Sequence, residues 1–79
     1  MSEFTVAKTL DCKGLACPMP IVKLSMEITK MKVGDVVEML STDPGSLADV
    51  PSWAKSTGNA VLETKQEPGL IRFYVKRQK

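Results

Sequence analysis

Apolar and polar residues follow two distinct periods in the first half of the chain, and these periods predict a strand, a helix and a second strand. Alternation from Phe4 to Leu10 predicts a strand with one face toward a core, although Lys8 is out of register. Apolar residues then recur every three or four positions from Ile21 to Met31, which predicts an amphipathic helix of about three turns. The apolar run from Val36 to Thr42 is typical of a strand with little exposure.

The second half of the chain opens with a second predicted helix. Apolar residues from Leu47 to Ala54 have helical spacing and follow a stretch of turn-forming residues. Pro51 removes one hydrogen bond from a helix interior and clashes with the preceding turn. We therefore expect an irregular or 3₁₀ start between Ser46 and Val50, and a left-handed cap at Gly58.

A hairpin ends the predicted order of elements. The segments from Ala60 to Lys65 and from Leu70 to Lys76 have strand patterns, and Pro68-Gly69 between them suits a type II turn. The order is therefore β-α-β-α-β-β, a two-layer α/β sandwich of the α+β kind in one domain, residues 1–79. We expect a four-stranded mixed sheet with both helices on one face and Thr, Lys and Arg on the open face.

Composition and residue usage indicate a globular protein and exclude several kinds of catalytic site. Hydrophobic residues make up 43% and charged residues 25% of the chain, which are ordinary globular values. No apolar run approaches the ~20 residues of a membrane span, and the start lacks the pattern of a secretory signal, so we expect a cytoplasmic protein without a membrane partner. The absence of histidine excludes Cys-His and Ser-His catalytic sites and His-containing zinc sites within this chain.

The net charge of +2 is too small to indicate nucleic acid by itself. Four basic residues near the end of the chain, Arg72, Lys76, Arg77 and Lys79, are interpreted as a solvated strand edge. Because small two-layer α/β domains also bind RNA, an RNA-binding or regulatory module stays open as an alternative function.

The segment from Leu10 to Pro20 holds both cysteines and the candidate reactive centre. Pro18 and Pro20 mark the start of the first helix, because proline is tolerated in a first turn. Cys17 is therefore predicted at a helix N-terminus, where unpaired N–H groups and the helix dipole favour a thiolate. The alternative for Cys17 is a small buried hydrophobic residue.

The chain resembles the TusA-like, or SirA-like, family of small sulfur carriers over essentially its whole length. The residues that carry the resemblance are Leu10-Asp11, Gly14-Leu15, Cys17-Pro18-Met19-Pro20, Thr42-Asp43-Pro44 and Gly58. The resemblance implies a persulfide on Cys17, received from a cysteine desulfurase or rhodanese and passed to an acceptor sulfurtransferase. It implies a sulfurtransferase that acts as a relay rather than as a self-contained enzyme, with no cofactor besides the covalent sulfur; monomer and weak dimer both stay open.

Cys12, Asp11 and Gly14 surround the reactive centre in sequence and have competing interpretations. Cys12 packs under the loop or, with Cys17, forms an internal disulfide that resolves an oxidised thiol, which would make the protein a redox sensor. Asp11 braces backbone amides or handles a proton near Cys17. Gly14 is predicted to have a positive φ. We favour packing for Cys12 and the brace for Asp11.

Charged and apolar residues near Cys17 are candidates for recognition of partners. Lys13 and Lys23 add positive charge that favours a thiolate. Leu15 and Met19 are predicted to belong to an exposed apolar docking patch for the donor or acceptor. Met26, Met31 and Met39 are interpreted as gap-filling core residues, so no metal site is predicted.

Overall fold

The computed structural model describes residues 5–15 and 19–79, in which the elements follow the predicted order. The strands are β1 (Val6–Cys12), β2 (Val36–Ser41), β3 (Ala60–Glu67) and β4 (Leu70–Lys76), and the helices are α1 (Met19–Ile28) and α2 (Ser46–Thr57). Neither helix of the described chain has the length and apolar run that crossing a membrane requires.

The four strands form one mixed sheet in the order β1-β2-β4-β3. β1 and β2 are parallel and are connected through α1, whereas β4 is antiparallel to both β2 and β3. The turn between β3 and β4 contains Gly69 at a φ of 73°, as a type II turn requires. The predicted α+β sandwich, with its βαβ unit and its hairpin, is therefore confirmed.

The core lies between the helices and one face of the sheet. Val37 and Met39 of β2 are in register with Val75 and Phe73 of β4, and all four side chains are fully buried. Alternation puts these residues on the same face, which is the pattern of a half-buried sheet. The helices cover this face with Leu24, Ile28 and Val50, and the first methionine after α1, Met31, also belongs to the core.

A register shift in β1 and an ion pair to α1 account for Lys8, the charged residue in the predicted alternation. Val6 pairs with Val36, but Lys8 pairs with Val37, so one extra residue lies between these positions. The Lys8 ammonium forms an ion pair with Glu27 of α1, with 2.6 Å between Nζ and Oε2. Lys8 therefore lies on the side of the sheet that faces α1, as Leu10 does, and the bulge instead changes the side that Val6 faces. Phe4, the predicted start of this strand, lies outside the described residues.

The α-helix α2 already begins at Ser46, so the prediction of a non-α start over residues 46–50 is wrong in its extent. The first hydrogen bonds nevertheless have the 3₁₀ pattern, because the N–H groups of Ser46 and Leu47 donate to carbonyls three residues earlier. Pro51 is the sixth residue of the helix. Gly58 ends it in the left-handed conformation, with φ 78°, as predicted.

Arg77 connects the end of β4 to the C-terminal end of α1. Its guanidinium donates to the carbonyl oxygens of Thr29 and Met31, and its backbone N–H donates to Asp35. A cation at this end of a helix satisfies carbonyls that lack intrahelical partners and suits the helix dipole. The last turn of α1 itself contains no basic residue, so a residue far along the chain supplies this charge.

The open face of the sheet carries a network of paired charges centred on Glu38. Its carboxylate accepts hydrogen bonds from the Tyr74 hydroxyl at 2.7 Å, from the Thr9 hydroxyl and from the Arg72 guanidinium. The hydrogen bond from Tyr74 is the main reason that the pKa of Glu38 lies below its ordinary value. The predicted Thr and Arg are therefore present on this face, but carboxylates accompany them.

We predict that Tyr74→Phe destabilises the protein by about 1 kcal/mol at pH 7, because it removes one hydrogen bond to a partly exposed carboxylate. A carboxyl group with a lowered folded pKa stabilises the fold above its unfolded pKa of about 4.3 and loses that contribution as pH falls through the folded pKa. The difference between variant and wild type should therefore shrink at about pH 3. Urea unfolding of the variant and the wild type, at pH 7 and at about pH 3, measures this difference in the free energy of unfolding.

Thr57→Val is the matched control, because the Thr57 hydroxyl donates to the backbone carbonyl of Trp53, which does not titrate. Its effect on the free energy of unfolding should be the same at both pH values. A Tyr74→Phe effect that is equally large in acid and at neutral pH would contradict the assignment to ionised Glu38.

Candidate functional site

The candidate site is the connection between β1 and α1. β1 ends at Cys12, in register with Ser41 at the end of β2, and α1 begins at Met19. Residues 16–18, which include Cys17 and Pro18, lie outside the described residues. The predicted position of the Cys17 thiol at the helix N-terminus therefore stays a prediction, whereas the structure describes the chain on both sides of it.

Three interactions fix the turn that leads from β1 toward Cys17. The N–H of Leu15 donates to the carbonyl of Cys12 at 3.2 Å, and the N–H of Lys13 donates to Oδ1 of Asp11 at 2.9 Å. The N–H of Gly14 donates to Oγ1 of Thr42, also at 2.9 Å. The predicted brace by Asp11 is thus confirmed as an Asx-type hydrogen bond.

Gly14 has the positive φ that the sequence predicts, at 80°. A Cβ atom at this position would meet no atom within 4 Å, so space does not require glycine here. The backbone conformation requires it, because side chains with a Cβ are strained in the left-handed region.

Thr42 is a contact of this turn that sequence reasoning missed. The sequence indicates that Thr42 belongs to the motif Thr42-Asp43-Pro44 but assigns it no function, because nothing local in sequence connects residue 42 to residue 14. The parallel pairing of β1 and β2 brings the residues after both strands to the same edge of the sheet. The predicted βαβ unit was the available signal that these two loops are neighbours.

Cys12 is a core residue and has no exposed surface. Burial raises the pKa of its thiol, Lys23 partly opposes this shift, and Asp11 adds to it. A thiol that is buried and resists ionisation is a poor nucleophile. The structure therefore favours packing over the role of resolving thiol for Cys12.

α1 presents both buried and exposed apolar side chains. Pro20 is buried, whereas Met19, Val22 and Met26 are about half exposed and line a shallow groove that also contains Leu10. Exposed apolar side chains at neighbouring positions of a helix are typical of contact surfaces. Met19 thus has the exposure that the predicted docking patch needs. The interpretation of Met26 as a core residue is wrong, because its position on α1 faces away from the core and leaves it 58% exposed.

Other residues of the predicted docking patch differ in their exposure. Leu15 is half buried and packs against the core, so it offers less surface than predicted. Lys13 is exposed and lies 4.0 Å from the carboxylate of Asp11, a separation and exposure at which an ion pair contributes little. Lys23 and Lys30 are exposed cations along the same groove as Met19.

Two of the four basic residues near the end of the chain have partners within the protein. Arg72 forms ion pairs with Glu38 at 3.4 Å and with Glu67 at 3.2 Å. Arg77 is engaged with carbonyl oxygens at the end of α1. The guanidinium groups of Arg72 and Arg77 are therefore already engaged within the protein, which weakens the RNA-binding alternative.

Comparison with known proteins identifies sulfur carriers as relatives. A sequence model of the family described as Sulfurtransferase TusA matches residues 8–77. The chain is 41% identical over 77 residues to the sulfur carrier protein TusA of Allochromatium vinosum, a match that covers 98% of this chain and 99% of that protein.

Two further comparisons concern a longer relative and a solved structure. The chain is 48% identical over 68 residues to the putative sulfur carrier protein YrkF of Bacillus subtilis, but it spans only 37% of that protein's length. The crystal structure of a SirA-like protein from Desulfitobacterium hafniense has a TM-score of 0.79, covering 91% of this chain and 99% of that one. At 22% identity, this likeness shows that the two chains share a fold.

We predict that iodoacetamide modifies Cys12 at least about 100-fold more slowly in the native protein than in the unfolded chain, because the thiol is buried and its pKa is raised. Tryptic digestion after quenching separates the two cysteines, since Lys13 lies between them. Mass spectrometry of the peptide that ends at Lys13 measures the modification. Equal rates in native and urea-unfolded protein would contradict the burial of Cys12.

Proposed function

This chain belongs to the TusA family of sulfur carriers, and from that premise we propose that it carries sulfur as a persulfide on Cys17. The observation that supports this most is the geometry on both sides of Cys17. Hydrogen bonds hold Gly14 and Leu15 before it, and α1 begins at Met19 after it. A short connection between two fixed points is suited to presenting one thiol to a succession of partner proteins.

The start of α1 favours a thiolate close to it. The first N–H groups of a helix have no intrahelical partners, and the dipole places partial positive charge there, which lowers the pKa of a nearby thiol. The first turn of α1 contains no acidic residue that would oppose this effect. Lys23 follows one turn later and adds a positive charge.

The proposed reaction is two successive thiolate displacements. The Cys17 thiolate attacks the outer sulfur of a donor persulfide, the donor S–S bond breaks, and the donor leaves as a thiolate while Cys17 becomes the persulfide. An acceptor thiolate then attacks the outer sulfur of Cys17, and Cys17 leaves as a thiolate. Each step exchanges one S–S bond for another, so neither step requires an external oxidant, reductant or cofactor.

The proposed partners are a donor such as a cysteine desulfurase or rhodanese and an acceptor sulfurtransferase in a reducing cytoplasm. Both need access to Cys17, and we assign their docking to the surface formed by Met19, Val22, Met26, Lys23 and Lys30. Half-exposed methionines adapt to different partner surfaces, which suits a carrier that meets a donor and an acceptor in turn.

The redox-sensor alternative finds less support than the carrier. A sensor that uses both thiols needs Cys12 to reach Cys17 and to ionise, but Cys12 is fully buried and its pKa is raised. A carrier needs one reactive thiol. We therefore propose that Cys12 takes no part in sulfur transfer.

The proposal predicts that the reduced protein gains a sulfur atom on Cys17 when it is incubated with inorganic polysulfide, and that dithiothreitol removes it. Intact-mass measurement detects the added sulfur. Cys17→Ser should load none, whereas Cys12→Ala should load as the wild type does. Loading that persists in Cys17→Ser would refute the assignment of the carrier thiol.

The docking surface predicts a charge effect that depends on the donor. Lys23→Glu should slow loading from a persulfidated cysteine desulfurase several-fold and change its salt dependence, because charges at the rim of an interface act mainly on association. Loading from polysulfide, which needs no protein surface, should change less.

Lys55→Glu is the matched control for this charge reversal. Lys55 is exposed and lies in the last turn of α2, so the substitution makes the same change in net charge away from the groove. Equal slowing by the two substitutions would show an effect of net charge and would contradict docking at Lys23.

A further inference from the structure

We infer that Thr42 is a positioning residue for Cys17, acting through the backbone of Gly14. The Thr42 hydroxyl accepts the Gly14 N–H at 2.9 Å, and Cys17 follows Gly14 by three residues. Thr42 therefore acts on the chain that carries the thiol, without any contact with the transferred sulfur being required. Its importance for sulfur transfer rests on the proposed function, whereas its effect on the thiol can be measured separately.

The hydrogen bond from Gly14 to Thr42 differs from the other two in the turn. The bonds from Lys13 to Asp11 and from Leu15 to Cys12 connect residues two and three positions apart, so they set the local shape of the turn. The bond to Thr42 connects the turn to the loop after β2. It therefore fixes the direction in which the turn leaves the sheet.

Thr42 is itself held in place on both sides. The hydroxyls of Ser41 and Ser46 are buried and lie 2.8 Å apart, and the N–H of Asp43 donates to Oγ of Ser41 at 3.2 Å. The N–H of Gly45 in turn donates to Oδ1 of Asp43 at 3.1 Å. Because the loop is fixed independently of the β1–α1 turn, it can restrain that turn.

This arrangement assigns separate roles to the two loops that follow the parallel strands β1 and β2. The loop after β1 leads to the thiol, and the loop after β2 supports it through one hydroxyl group. Loss of the hydroxyl leaves the local bonds of the turn in place but permits Gly14 to move relative to α1. If the thiol of Cys17 has the position proposed for it at the start of α1, its anion should then be less favoured.

The test compares Thr42→Val, which removes the hydroxyl at nearly constant volume, with Thr42→Ser, which keeps it. The measurement is the rate of iodoacetamide modification of Cys17 as a function of pH, followed on the tryptic peptide of residues 14–23. We expect Thr42→Val to react about fivefold more slowly at neutral pH, the effect of one neutral hydrogen bond, with its pH midpoint raised. Thr42→Ser should behave as the wild type.

Thr9→Val is the matched control, since the Thr9 hydroxyl also bridges β1 and β2 but donates to Glu38 on the open face. Its modification rate and pH midpoint should equal those of the wild type. A wild-type profile in Thr42→Val would overturn the inference, and so would a slowed profile that Thr42→Ser does not restore. If Thr42→Val unfolds, Thr42→Ala is compared with Thr42→Ser by the same criteria.

Failure of the positioning role and failure of the carrier function give different results. Alkylation requires no sulfur donor, so it reports positioning even if the protein carries no sulfur. A wild type that reacts with iodoacetamide but never loads sulfur from polysulfide would refute the carrier function alone. Normal loading together with an unchanged profile in Thr42→Val would refute the positioning role alone.

Discussion

The parallel pairing of β1 and β2 is the constraint on which the rest of this structure depends. Parallel strands require a crossover between them, and here α1 provides it. The same pairing places the ends of both strands, Cys12 and Ser41, side by side at one edge of the sheet. Two loops far apart in sequence therefore meet, and the hydrogen bond between Gly14 and Thr42 forms where they do. An antiparallel pair would have put these two strand ends at opposite edges.

The core supports this edge through small polar groups as well as through apolar packing. Cys12 and Ser41 are fully buried at the last positions of their strands, and Ser46 satisfies the Ser41 hydroxyl from the start of α2. Buried hydroxyls are costly without partners, so the pair constrains α2 to begin near β2. The second helix thus contributes to the site through its first residue, even though its other buried residues serve the core.

Local patterns predicted the elements well, and long-range contacts account for what they missed. The bounds of β4 were predicted correctly because apolar and polar residues alternate strictly there and Pro68-Gly69 fixes its start. β1 ends two residues later than predicted because pairing with β2, rather than its own alternation, determines its length. The contacts of Thr42, Glu38 and Arg77 could not be predicted from spacing, because each partner lies at least about 28 residues away in the chain and is brought near by the sheet.

Charge is distributed differently over the open face of the sheet and over the face covered by the helices. On the open face, Lys65, Arg72 and Lys76 accompany the three carboxylates of Glu38, Glu63 and Glu67, so these six groups contribute no net charge. The exposed cations Lys23 of α1 and Lys30 of the turn after it have a single acidic residue between them, Glu27, which forms an ion pair with Lys8. Among these groups the surplus of positive charge lies along α1 and the turn after it, so an acidic surface is attracted there from a greater distance than to the open face.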